Sequence, residues 1–69
     1  MADNDKAKLK TLLNYWIKHN EEHEQEFREW AGKAGASGAV EAGAHLLRAA
    51  QEMYQATEFL SKAQKELEE

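Results

Sequence analysis

A single cluster of glycines divides this chain. Gly32, Gly35 and Gly38, interleaved with Ala34, Ala36 and Ser37, form the one concentrated helix-weakening stretch in 69 residues that contain no proline. Glycine costs about 1 kcal/mol relative to alanine inside a helix, and proline about 3 kcal/mol, so a chain without proline is free to be helical on both sides of the cluster. On those two sides strong helix formers dominate and apolar residues recur at steps of three and four, with no strand-type alternation. The expected fold is therefore all-α: one domain over residues 1–69, with a helix at about 4–33, a turn at about 34–37 and a second helix at about 38–67. Asp3 or Asn4 is the expected cap of the first helix, Gly35 the left-handed residue that ends it, and Ser37 the cap of the second.

So short a connection makes the helices antiparallel. In the first, the apolar stripe runs through Leu9, Leu12, Leu13, Trp16, Phe27, Trp30 and Ala34, and its steps continue through Asn20 and His23, which gives it a polar middle. The second helix is expected to bury Val40, Gly43, Leu46, Leu47, Ala50, Met53, Tyr54, Thr57, Leu60, Gln64 and Leu67. That side is too wide for one partner helix, because a two-stranded seam needs only about two apolar positions per heptad. Two copies packed face to face make a four-helix bundle that covers both wide faces, so a homodimer is the favoured assembly. The rival is a hairpin docked on another helical protein. A lone domain of this size buries only about 60% of its unfolded surface and usually needs a staple. With no cysteine, metal or self-association is left.

The balance of nine Lys and Arg against thirteen Asp and Glu, a formal net charge of −4, disfavours nucleic acid as the main partner. No apolar run approaches the roughly 18 residues of a membrane span, and the start resembles neither a signal peptide nor a transit sequence, so the expectation is a soluble cytoplasmic protein.

The chemistry-bearing segment is Ile17-Lys18-His19-Asn20-Glu21-Glu22-His23-Glu24-Gln25-Glu26-Phe27. His19 and His23 are four apart, the spacing at which two imidazoles on one helical face share one ion, and Glu22 and Glu26 each follow a histidine by three. A helical wheel centres His23 on the apolar stripe, where a buried imidazole needs a hydrogen bond, a carboxylate or a metal. If the hairpin folds about residues 35 and 36, position i lies near position 71 − i, so His19 faces Glu52, His23 faces Arg48 and His45 faces the level of Glu26. The candidate metal ligands are His19, His23 and Glu26, completed by His45, by Glu52 or by a symmetry mate. Zinc, nickel, cobalt and copper(II) accept such nitrogen and oxygen donors. The competing expectation is a structural layer in which His23, Asn20 and a glutamate hydrogen-bond to one another and set the register. His19-Asn20-Glu21-Glu22-His23 also fits the His-x-x-Glu-His string of one zinc-peptidase class, but a hairpin of this length supplies little of a cleft or third ligand, and a non-enzyme is expected.

The run from Leu12 to His23, followed by Phe27-Arg28-Glu29-Trp30-Ala31, resembles a group of small, uncharacterised prokaryotic helical domains with a Trp-Ile-x-His-Asn-x-x-His core. The resemblance implies that His19, Asn20 and His23 belong to one site, and it brings no activity with it. In outline the chain also resembles RNA-binding helical-hairpin dimers, a likeness of architecture that carries no function.

Overall fold

The computed structural model describes residues 2–68, with side chains from Asn4 to Glu68. Helix α1 (Ala2–Ala36) and helix α2 (Val40–Glu66) pack along their lengths as a rod of 53 × 15 × 14 Å, and the described residues contain no strand. The all-helical hairpin follows from the periodicity.

The turn lies closer to the C-terminus than the glycine cluster suggested. Gly35 stays helical and Gly38 takes the left-handed conformation, with φ 93°. The amide of Ala39 donates to the carbonyl of Ala34 at 2.8 Å and that of Gly38 to the carbonyl of Gly35 at 3.1 Å, the paired bonds of a Schellman ending. A helix tolerates one achiral residue at modest cost, whereas the position with positive φ needs one, so the last glycine of the cluster sets the boundary. Ser37 does not cap α2. Its hydroxyl donates to the carbonyl of Ala34 at 2.9 Å and so closes α1, while α2 starts from Ala39 without a side-chain cap. Asp3 and Asn4 lie inside α1, which already begins at Ala2, so neither is its cap; the side chain of Asp3 is outside the described residues.

The two helices meet along one heptad seam each. On α1 it comprises Leu13, Ile17, Asn20, Glu24, Phe27, Ala31 and Ala34, and on α2 Gly43, Leu46, Ala50, Met53, Thr57, Leu60 and Gln64, continued by Leu67 at its C-terminal cap, all buried or half-buried. Steps alternate between three and four, the spacing that keeps one seam facing its partner. Leu13 and Ala50 are the deepest, at 2% and 0% exposure. Gly43 permits the closest approach, since a Cβ there would lie 2.8 Å from the carbonyl oxygen of Ala31. The buried Thr57 satisfies its hydroxyl by donating to the carbonyl of Met53 at 3.0 Å, and among the described residues no buried side-chain nitrogen or oxygen lacks a hydrogen-bond partner.

The register corrects the expected pairing. A hydrogen bond from Gln64 to Asn14, together with Gly43 seated against Ala31 and Ala34, places position i opposite roughly 77 − i. The shift is nearly two turns and follows from moving the turn from 35 and 36 to 37–39. His19 therefore lies opposite the level of Glu58 and His23 opposite that of Tyr54, while Glu52 comes level with Gln25 and His45 with Gly32.

A hairpin covers only its seam. Leu12, Trp16, His19, His23, Glu26 and Trp30 each precede a seam residue on α1, and Ala42, Ala49, Ala56, Phe59 and Ala63 do the same on α2. Because the helices are antiparallel, equal rotations from each seam fall on the same side of the rod, so these residues share one open face. On the opposite side Arg28, Gly32 and Gly35 line a shallow groove with Ala44 and Leu47. Val40, Leu47 and Tyr54, expected to be buried, are exposed there or along the outer edge of α2.

Candidate functional site

A column of four rings crosses the open face of α1, from the exposed Tyr15 to Phe27 in the seam. Tyr15, His19, His23 and Phe27 follow one another at steps of four, one helical turn apart. The ring of Tyr15 stacks on His19 with centroids 5.4 Å apart and planes 12° from parallel. Phe27 closes the other end against His23 at 5.9 Å and 28°. Between these two clamps the imidazoles meet edge to face, with centroids 4.4 Å apart and an interplanar angle of 89°.

That crossing brings the two Nε2 atoms to 2.9 Å of each other. On the far side of His23, Nδ1 lies 3.2 Å from Oε1 of Glu26. A carboxylate accepts only, so Glu26 suits the tautomer of His23 that carries its proton on Nδ1, and in a neutral ring that tautomer leaves the Nε2 lone pair on the side of His19. With that tautomer of His23, the 2.9 Å contact is a hydrogen bond when His19 carries its proton on Nε2. The site is not buried. The side chain of His23 is 40% exposed and His19 is exposed, so water and small ions reach both rings. The expected central position of His23 fails because the seam centre lies one residue further on, through Asn20 and Glu24.

The five residues expected around a metal do not all converge. His19 and His23 come together, and Glu26 joins them behind His23. Glu52 is held by Arg48, whose Nε donates to its Oε2 at 2.9 Å, on the exposed surface of α2. His45 sits at the level of Gly32, nine residues beyond His23, which is about 13 Å along the axis at 1.5 Å per residue. Among the described residues no three His, Asp or Glu side chains surround a point where an ion would sit. Asn20 belongs to the seam, and the partners of His23 are His19 and Glu26, so the layer of His23 with Asn20 is replaced by the pair of histidines. Tyr15 was missed as part of the site. Its signal was available in the step-of-four run from Tyr15 to Phe27, which places aromatic rings on both sides of the histidines.

These features define a two-helix hairpin with a solvent-facing histidine pair. The chain belongs to the family described as a domain of unknown function, DUF8180, whose model matches residues 9–67 and so takes in both seams and the whole ring column. No curated protein and no solved structure matches it. No helix among the described residues is long and apolar enough to cross a membrane.

Proposed function

We propose that this hairpin binds a divalent transition metal, with Nε2 of His19 and Nε2 of His23 as its ligands and Glu26 as the group that orients His23. The observation that supports it is the 2.9 Å approach of the two Nε2 atoms with a carboxylate on the opposite nitrogen of one ring. Nitrogens about 2.05 Å from a common ion are about 2.9 Å apart when they subtend a right angle, and about 3.3 Å apart in a tetrahedron. Once both rings turn their Nε2 lone pairs toward a common point, the present spacing suits adjacent positions of a square-planar or octahedral ion such as nickel or copper(II), and zinc or cobalt need a further opening of about 0.4 Å. A carboxylate behind a ligating histidine is the usual outer partner in metal sites and raises the basicity of the ring. In this reading Glu26 is an orienting group rather than the direct ligand expected from spacing.

The ion takes the place of the proton that His19 shares with His23. Protons compete for the same lone pairs, so metal affinity falls as the solution is acidified. The site acts in binding and not in catalysis. A second reading, a protein-interaction module in which the histidines only hydrogen-bond to each other, is supported by Trp16 and Trp30, which stay 38% and 56% exposed.

Calorimetric titration of the tag-free protein with Zn²⁺ and Ni²⁺ separates the two. Saturable binding in the micromolar range or tighter, weakened at least 100-fold when His19→Gln and His23→Gln are combined, is the expected result. Binding of equal strength in the double variant rejects these ligands, and absence of binding leaves the interaction reading.

A further inference from the structure

We infer that the metal site is shared between two copies of this chain, whose open faces meet about a two-fold axis and supply His19 and His23 twice over, four imidazoles to one ion. The inference rests on the metal reading and extends it to the partner. Its first support is a deficit: one chain offers two converging nitrogens and no third His, Asp or Glu among the described residues. Four-coordinate sites are the common minimum for these ions, so at least two further ligands are needed, and a second copy supplies imidazoles where a lone chain has water.

The face around the pair has the pattern of a second seam. Leu9, Leu12, Trp16, His19, His23 and Trp30 follow α1 at steps of three and four, or multiples of them, just as the covered seam does. They lie about 40–100° around the helix from that seam at 100° per residue, and a helix in a four-helix bundle meets its second neighbour at about a right angle. Opposite them on the same face α2 offers the small side chains Ala49, Ala56 and Ala63, which leave room for tryptophans from a facing copy, and between them the exposed ring of Phe59, which adds apolar surface to the contact.

Position and size single out a second copy as the occupant. His19 stands at the midpoint of α1, which runs from Ala2 to Ala36. A two-fold axis through the middle of the rod makes each residue near it meet its own counterpart, so the histidine pairs of two fully overlapping hairpins coincide in height. Seen from one side the rod is 53 Å long and 15 Å wide, an outline of about 800 Å², the same order as the accessible surface that each partner of a standard stable interface contributes. Two chains of charge −4 repel, and a dication at the centre of their contact offsets part of that repulsion.

The test is a titration of the tag-free full chain with Zn²⁺, following stoichiometry by calorimetry and mass by light scattering in the same samples. One ion per two chains with a doubled mass is the expected result. A companion variant, Leu9→Lys with Trp30→Lys, leaves both histidines and the seam untouched; circular dichroism should show unchanged helicity while the mass falls to the monomer and Zn²⁺ affinity drops at least tenfold. One ion per chain on a monomer overturns the shared site yet keeps the metal reading, and leaves the face to a different protein. A folded lysine variant that retains full affinity and the doubled mass also overturns it. Absence of any saturable Zn²⁺ or Ni²⁺ binding removes the metal reading itself.

Discussion

Leu12 and Leu13 are the same residue type, adjacent in the chain and in the same helix, yet Leu13 is 2% exposed and Leu12 is 43% exposed. The contrast repeats along α1. Ile17 and Asn20 face α2, while Trp16 and His19, one residue earlier, face outward. α1 thus carries two stripes with the same alternation of three and four, and the hairpin covers one. The lesson is that a heptad pattern marks a surface that wants a neighbour without saying which neighbour takes it. The larger side chains, Trp16 and Trp30, lie on the uncovered stripe, and small ones, Ala31, Ala34, Gly43 and Ala50, hold the covered seam at the closed end.

Replacing one leucine at a time tests that contrast directly. Leu13→Ala should cost about 2–5 kcal/mol in urea unfolding, the range for emptying a buried leucine site. A cost equal to that of Leu12→Ala would mean that the two stripes are not distinct in solution. Gly43→Ala comes next, at about 1–3 kcal/mol, because its new methyl meets the carbonyl oxygen of Ala31 and forces the helices apart. A thermal midpoint unchanged by this substitution would show that the closed end packs more loosely than described. Leu12→Ala is the smallest effect, below about 1 kcal/mol for metal-free protein at low concentration, since much of its surface already meets water. A cost that grows with protein concentration would show the open stripe being covered by another copy.

Much of the fold is legible in the residues alone. Absence of proline, the helix-forming composition and the glycine cluster together determine a hairpin. The register was not legible, because Gly32, Gly35 and Gly38 are all able to end a helix, and only the pair of backbone bonds from Ala39 to Ala34 and from Gly38 to Gly35 selects the last of them. Every expected cross-helix contact moved with that choice, including those of Glu52 and His45. The site was half legible for the same reason. Contacts within one helix, His19 with His23 and His23 with Glu26, are set by the local period of 3.6 residues and survive any change of register.

By itself, then, the sequence determined the helices, their antiparallel return and the meeting of the two imidazoles, all of which depend on interactions between residues no more than a few positions apart or on the length of one turn. Tertiary structure alone decided which of the two stripes on α1 is covered and that His23 stands half-exposed at its edge instead of in a core. Those outcomes follow from how closely two helices approach along a seam of small residues, and from where a single glycine takes a positive φ.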